Sequence, residues 1–505
     1  MCYKQIAMNN TASVKTDKHS TIRFLLNMKP VEVSGVGLTT PVLTYLRNQQ
    51  FLSGTKEGCA EGDCGACTVV VAGLVKDQLI SKTVNACIQF LPSLDGMAVF
   101  TVEYLRQADG ALHPAQQAMV DCHGSQCGFC TPGFVMSLWQ VYKQHQEAGT
   151  QANDAQLRSA LTGNLCRCTG YRPILEAGQR MFQLPEVAFD NSGLVTELQK
   201  LRRDQSLVYT HQDATFYAPR QLTELKQLRT ELPAATVLAG CTDIGLWVNK
   251  QLRDLGDIIF IGQVEELNTV DVDDTHIRIG AGASLSDAYG TLVKYYPHVA
   301  EMHERFASLP IRNAGTLGGN IANGSPIGDS MPWLIAAGAR VVLAHSTGER
   351  TLLLQDFYLD YMQTQLQENE LIIAIEVPLP TSSQVLRTYK VSKRYDSDIS
   401  AVCGGFSLEL DGCKIFEAVI AFGGVAAIPK RATACEQALI GRQWNEETLG
   451  LAQAAVLTDY QPLSDMRASE QNRQQLARNL LYRFYLETRA DNPVAVENLS
   501  VFAQT

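Results

Sequence analysis

The first patterned stretch of the chain is strand-rich. Thr21-Ile22-Arg23-Phe24-Leu25-Leu26-Asn27, Val31-Glu32-Val33 and Thr68-Val69-Val70-Val71 predict strands, and Val42-Leu43-Thr44-Tyr45-Leu46-Arg47 between them has helical spacing. A small mixed sheet with one helix is expected from Thr21 to Glu103. From His113 to Phe182 the texture turns helical: Phe134, Leu138 and Val141 share one face after Pro132, and helices are expected over 154–161 and 174–182. Leu184 to Thr210 is polar and charged, with Asp190-Asn191-Ser192-Gly193 and Lys200-Leu201-Arg202-Arg203-Asp204, and reads as a linker. An α/β stretch follows from Phe216 to roughly Pro380, with strands at 235–239, 258–261 and 277–279. A final α+β unit runs from about Val385 to Ala490, with strands at 407–410 and 418–422. No internal repeat is visible.

A chain of 505 residues suggests three to four domains of roughly 100–200 residues each. Apolar residues make up 46% and charged ones 19%, so the chain is globular outside its ends. The net charge of −10 argues against a nucleic-acid partner, since phosphate binding needs clustered Lys and Arg. No apolar run is long enough to span a membrane. Residues 1–20 are polar and lack a secretory apolar stretch, so a disordered leader and a reducing, cytoplasmic setting are expected.

Eight of the fourteen cysteines fall into two sets, and these change the picture most. The first, Cys59, Cys64, Cys67 and Cys87, has an x4 gap, an x2 gap and a fourth cysteine further on. That is the plant-type ferredoxin arrangement for a [2Fe–2S] cluster. Zinc is the competitor, but the uneven gaps and the lone fourth cysteine suit it poorly. Small residues separate the thiols in Gly58-Cys59-Ala60-Glu61-Gly62-Asp63-Cys64-Gly65-Ala66-Cys67, which lets backbone N–H groups turn toward cluster sulfurs. The second set is Cys127, Cys130, Cys166 and Cys168. Each half precedes an expected helix start, with Thr131 as cap before Pro132 and the same logic repeated from Thr169 to Pro173. Zinc and disulfide pairing remain alternatives there. Cys122, five residues before Cys127, reads as a packed small hydrophobe.

Two glycine-containing segments stand out in the second half. Leu238-Ala239-Gly240-Cys241-Thr242-Asp243-Ile244-Gly245 directly follows a strand, and Arg312-Asn313-Ala314-Gly315-Thr316-Leu317-Gly318-Gly319-Asn320 continues to Pro326. Either can form a backbone nest around a pyrophosphate, or simply mark tight turns. Neither is a Rossmann G-x-G-x-x-G, so a dinucleotide bound here sits in another fold. His303-Glu304 is not a zinc motif, because Ala307 stands where the second His belongs.

Taken in order, these motifs resemble the iron–sulfur and flavin half of the xanthine dehydrogenases, in the form carried by the small subunit of two-subunit bacterial members. The resemblance covers about residues 20 to 490. It implies a multidomain α+β chain: leader 1–20, β-grasp [2Fe–2S] domain 21–104, helical [2Fe–2S] domain 105–185, linker 186–210, vanillyl-alcohol-oxidase-type FAD domain 211–383, C-terminal α+β flavoprotein domain 384–495 and tail 496–505. It assigns the eight cysteines to two clusters. FAD is implied to lie against Leu238, Ala239, Gly240, Cys241, Thr242, Asp243, Ile244 and Gly245, then Phe306 beside the isoalloxazine, with Thr316, Gly319, Asn320, Asp329, Ile372 and Lys390. The segment from Lys390 to Asp398 resembles the loop where NAD+ docks, although its charges differ from those of animal members.

The same resemblance implies a molybdopterin-binding partner subunit, faced by Gln126, in an assembly with two copies of each chain. The implied activity is electron transfer from that partner, which oxidises hypoxanthine and xanthine to urate, with no acid–base catalyst in this chain. The rivals are a related molybdenum hydroxylase acting on aldehydes or N-heterocycles, and a redox-sensing or zinc-stabilised protein without turnover.

Overall fold

The computed structural model describes residues 21–495 and residue 498, so the expected leader and most of the expected tail lie outside the described residues. β1 (Ile22–Leu26), β2 (Lys29–Val33), β3 (Thr68–Val75), β4 (Gln78–Asn85) and β5 (Ala98–Phe100) form one sheet in the order β2-β1-β5-β3-β4, accompanied by helix α1 (Val42–Asn48). β1 and β5 run parallel while the other pairs are antiparallel. Both faces of its inner strands β1, β5 and β3 are covered, which is why these read as largely apolar runs rather than alternations, while the edge strands β2 and β4 are partly exposed. Phe24, Leu26, Val69 and Val99 join a core shared with Phe216, Leu238 and Phe260. Their neighbours Leu25, Val70, Ala98 and Phe100 join the opposite core, with Phe134, Leu138 and Trp139. Each fully buried Val, Leu or Phe contributes roughly 1.5–3 kcal/mol, so the sheet fastens the units on either side of it.

The second unit is helical: α2 (Pro114–Asp121), α3 (Thr131–Glu147), α4 (Asp154–Ala160) and α5 (Arg172–Arg180). Local chemistry sets two of the starts. His113 Nδ1 accepts from Ala115 N at 3.1 Å while Gln116 Oε1 accepts from His113 N, and Asn153 with Gln156 closes a capping box at α4.

The stretch expected as a linker contains a docked helix instead, α6 (Asn191–Leu201). Asp190 caps it by accepting from Gly193 N at 2.8 Å, and Leu194 and Leu198, four apart, are buried in the helical core. Two leucines among polar neighbours suffice for docking, yet give little sequence signal. Just beyond, Arg203 makes a two-point ion pair with Asp95 (2.9 and 3.0 Å) and donates to Thr21 O, with both charged side chains buried.

The flavin-type region has two sheets. β6 (Leu207–His211), β7 (Ala214–Ala218), β8 (Thr236–Leu238) and β9 (Ile258–Phe260), with α7 (Leu222–Glu231) and α8 (Ile244–Asn249), give the order β6-β7-β9-β8, in which the β7-β9 and β8-β9 pairs are parallel. β10 (Val270–Val272), β11 (His276–Gly280), β12 (Arg340–His345) and β13 (Gly348–Leu353) join β16 (Leu371–Pro378) in an antiparallel sheet, β10-β11-β16-β12-β13, beside the small pair β14 (Tyr358–Asp360) and β15 (Gln363–Thr364). Helices α9 (Leu285–Tyr295), α10 (Ala300–Arg305), α11 (Leu309–Ala314), α12 (Leu317–Asn323) and α13 (Ser330–Ala336) lie between β11 and β12 in the chain. The last unit is an antiparallel sheet, β17 (Gln384–Val391), β18 (Val402–Asp411), β19 (Lys414–Gly423) and β20 (Lys430–Arg431), packed with α14 (Thr433–Leu439), α15 (Glu446–Asp459) and α16 (Glu470–Thr488). Among the described residues no helix is long and apolar enough to cross a membrane.

Candidate redox centres and flavin cavity

The first cysteine loop turns on residues in the left-handed region, Ala60, Gly62 and Gly65. That path aims the backbone N–H groups of Glu61 and Cys64 at Cys59 Sγ, each at 3.4 Å. Asn85 Nδ2 points at Cys67 Sγ from 3.8 Å. The four thiols are gathered: Cys59 contacts those of Cys64 and Cys87, and Cys87 also contacts Cys67. Hydrogen bonds from the Cys64 and Cys87 thiols hold Cys59 well below the usual thiol range, and the same contacts push Cys64 and Cys87 up.

In the second set, Cys130 and Cys166 are paired, as are Cys127 and Cys168, and Cys127 and Cys168 are exposed. Burial and the Cys166 thiol push Cys130 up to about 12. The expected caps differ from the structure here. Cys130 itself is the residue before α3, and Thr131 bonds Ser125 Oγ at 2.7 Å instead of capping. Tyr171, with φ at 69°, precedes α5, while Thr169 Oγ1 lies 3.2 Å from Cys166 Sγ and accepts from Tyr171 N. Thr169 thus faces a thiol, while Thr131 ties the start of α3 back to Ser125.

Among the described residues no three His, Cys, Asp or Glu side chains converge on one point as a single ion would require. A [2Fe–2S] cluster asks for something looser, two thiolates on each of two irons. Both cysteine sets offer that number and type of donor, and the first adds inward N–H groups, so the residues fit the clusters.

The two sets touch. Leu165 N donates to Cys64 O at 3.0 Å, and Asn164, buried, donates to Gly65 O and Thr68 Oγ1, both at 3.1 Å, while accepting from Ser137. A Cβ on Gly65 would lie 2.2 Å from Gly163 O. Asn164 was not singled out from sequence; its place two residues before Cys166 is the only signal it carried.

A cavity of about 820 Å³ opens between the two flavin-region sheets and the last unit, toward the upper end of the ~300–1,000 Å³ usual for cofactor sites. Of the expected flavin residues, Ala239, Gly240, Cys241, Thr242, Asp243, Ile244, Phe306, Thr316, Gly319, Asn320, Asp329, Ile372 and Lys390 line it. Two do not. Leu238 is a fully buried strand residue of the core, and Gly245 faces away, where a Cβ would meet Ile88 at 2.8 Å. The cavity also takes in residues outside the expected flavin contacts: Glu61, Gly62 and Asp63 from the first cysteine loop, and Ser397, Asp398 and Ile399 from the loop after β17.

Two of the cavity-lining segments pack directly against each other. Gly240 packs so tightly that a Cβ would lie 1.9 Å from Ala314 O. Thr316 caps α12 by accepting from Gly319 N at 2.9 Å, and Asn320 Oδ1 is buried without a hydrogen-bond partner. Such an orphan acceptor is costly unless a ligand donates to it. Asp243 is open to the cavity but enclosed on its other sides, and this burial raises its carboxyl pKa. Lys390 Nζ pairs with Asp329 Oδ2, Ser400 donates to Asp329 Oδ1, and all three are buried. Behind them Trp333 donates to Tyr289 OH (2.9 Å), Tyr289 donates to Ser330 (3.0 Å), and His303 stacks on Tyr289 with ring centroids 4.8 Å apart. Burial holds His303 down to about 4. Size, the glycine-lined wall and the orphan acceptor together fit a dinucleotide flavin.

Four family models tile this architecture. A "2Fe-2S iron-sulfur cluster binding domain" matches 24–91 and a "[2Fe-2S] binding domain" matches 101–179. An "FAD binding domain in molybdopterin dehydrogenase" matches 211–380 and a "CO dehydrogenase flavoprotein C-terminal domain" matches 387–488. The chain belongs to the iron–sulfur and flavin family that these models describe. Among relatives in this family, xanthine dehydrogenase 1 of Arabidopsis thaliana is 30% identical over 88% of this chain and 38% of its own length. Xanthine dehydrogenase/oxidase of Gallus gallus is 30% identical over 84% and 37%, and aldehyde oxidase 4 of Cavia porcellus is 29% identical over 92% and 39%. The chain thus spans less than two fifths of the curated relatives' length. Among solved structures, a carbon monoxide dehydrogenase chain from Hydrogenophaga pseudoflava superposes with a TM-score of 0.51 at 27% identity, covering 53% of this chain and 94% of that one. Quinoline 2-oxidoreductase from Pseudomonas putida 86 gives 0.50 at 25%, covering 55% and 97%.

Proposed function

We propose that this chain is the electron-transfer subunit of a xanthine dehydrogenase, conducting electrons from a molybdopterin-bearing partner, through its two cysteine sites and its flavin cavity, to NAD+. Bound [2Fe–2S] clusters supply one-electron steps, and FAD converts them to a two-electron transfer. The chain's own work is position and environment. Cys127, Cys130, Cys166 and Cys168 hold the surface cluster, with the exposed pair and Gln126 toward the partner; Cys59, Cys64, Cys67 and Cys87 hold the inner one. The nest around Gly240 and Thr316 takes the pyrophosphate, Phe306 flanks the ring system, and the Lys390–Asp329 pair supplies buried charge beside it. The partner takes two electrons from hypoxanthine or xanthine, the assembly has two copies of each chain, and it works in the cytoplasm.

One observation carries this reading. The second cysteine loop bonds the first through Leu165 and Cys64, and the first loop supplies Gly62 and Asp63 to the cavity wall, so the three sites form one unbroken series. Relatives named for xanthine and for aldehydes match at similar identity, which supports a second reading in which the partner oxidises aldehydes or N-heterocycles. Co-purification of the native complex, followed by assay of xanthine, an aldehyde and quinoline with NAD+ or oxygen, separates them. Xanthine-dependent NADH formation is the expected result; turnover confined to another substrate, or to oxygen, overturns the finer assignment.

A further inference from the structure

Helix α8 joins the flavin cavity to the first cysteine site. Its leading residues, Asp243 and Ile244, line the cavity, and Gly245 packs on Ile88, next to Cys87. One turn later Asn249 Nδ2 donates twice, to Ala60 O at 3.1 Å and to Cys87 O at 2.8 Å. Those carbonyls belong to the two parts of the ligand set that are far apart in sequence, the Cys59–Cys67 loop and Cys87. The neighbouring Lys250 Nζ donates to Cys59 O at 2.5 Å and lies 3.6 Å from Glu61. Neither residue touches a thiol, and neither falls in a cysteine or glycine motif.

We propose that Asn249 and Lys250 are positioning residues for the first [2Fe–2S] site: Asn249 clamps the two halves of its ligand set together, and the Lys250 ammonium raises its reduction potential. The proposal rests on the iron–sulfur reading above. The clamp follows from geometry, because one amide bridging two carbonyls fixes the separation of the segments that carry them. The potential follows from charge. Reduction adds an electron to an anionic group, so a nearby cation favours the reduced form, and outer hydrogen bonds tune cluster potentials in the same way. Glu61 offsets part of this, and Lys250 is partly solvated, so water-like screening applies. Removing the ammonium is then expected to shift the one-electron equilibrium about threefold toward the oxidised form, or about 30 mV at 59 mV per tenfold. An inner site kept easier to reduce favours electron flow inward from the surface site.

The test uses the full chain with its iron and flavin, comparing wild type with Asn249→Leu, Lys250→Met and Lys250→Arg. Two readouts are independent of turnover: a redox titration following each cluster's electron-spin signal, and iron release to a chelator. Lys250→Met should lower the first cluster's potential alone, with Lys250→Arg close to wild type. Asn249→Leu should speed loss of that cluster's iron about tenfold, the worth of roughly one to two uncompensated hydrogen bonds, while the second cluster's signal stays unchanged. Wild-type signals from two clusters that neither variant alters, or that shift equally in both clusters, overturn the proposal. Wild-type protein lacking two such signals overturns the iron–sulfur reading beneath it.

Discussion

Replacing Gly240 with alanine tests the flavin nest by a single methyl group. The added carbon would sit 1.9 Å from Ala314 O, 2.6 Å from Ala314 C and 2.7 Å from Gly315 Cα. All three belong to backbone, at the turn just before the Thr316–Gly319 cap, so no side chain can swing aside. One of the two cavity-lining segments must therefore move by roughly an ångström, and overpacking of this kind costs about 1–3 kcal/mol. If the nest holds the cofactor's pyrophosphate, much of that cost falls on binding, since the nest reaches its productive shape only against the strain. At about 1.4 kcal/mol per tenfold, FAD affinity should drop roughly 5- to 150-fold. Titration of the deflavinated chain with FAD, followed by quenching of flavin fluorescence, gives the dissociation constant directly. Gly290→Ala is the matched control. Gly290 lies within α9 and a Cβ there meets nothing within 4 Å, so that variant should keep FAD affinity and gain up to about 1 kcal/mol of stability. Unchanged FAD affinity in Gly240→Ala, with the two glycine variants indistinguishable, would refute the nest.

The other predictions concern charge and ligation. Lys390→Met leaves Asp329 buried without its partner and should cost about 3–5 kcal/mol in denaturant unfolding; the Asp329→Asn/Lys390→Met double variant should recover most of this, and an unaffected single variant counts against the pair. His113 is held at about 4, below its ordinary 6.5, by burial, so the unfolded chain binds its proton first and stability is lost as pH falls from 6.5 toward 4. Between pH 7 and 5 that loss should be about 2 kcal/mol, and it should vanish in His113→Asn, which keeps the cap; an equal loss in both proteins refutes it. Cys59→Ser should remove one electron-spin signal and Cys127→Ser the other, each leaving its counterpart, and a single variant abolishing neither signal contradicts the ligand sets.

Legibility in the sequence followed the locality of the physics. Cysteine spacing could be read because ligation ties identity to position over short loops. In the first sheet β1, β2 and β3 were visible while β4 and β5 were not, and the apolar continuity of β1 and β3 reflects burial on both faces, as Leu25 and Val70 show against Phe24 and Val69. α6 stayed hidden because only Leu194 and Leu198 carry its docking face. Of the flavin segment that the resemblance implies, Ala239 to Ile244 line the cavity, while Leu238 and Gly245 do not. Leu238 still belongs to β8 and points into the core, while Gly245 has already turned with α8 toward Ile88. The contributions of Gly62, Asp63 and Asp398 to the cavity arise only when distant segments fold together. No spacing rule reaches across that distance. Thr131 and Thr169 differ from the expected caps for a related reason, since their hydroxyls turn to Ser125 and to Cys166 Sγ instead of the helix ends.

The central claim is that both cysteine sets carry iron and feed a flavin in the cavity they adjoin. Metal and flavin analysis of anaerobically purified chain, with its visible and electron-spin spectra during stepwise reduction, measures this directly. The account predicts about four irons and one FAD per chain, with two distinguishable [2Fe–2S] signals. Colourless protein, or zinc in place of iron, would contradict it.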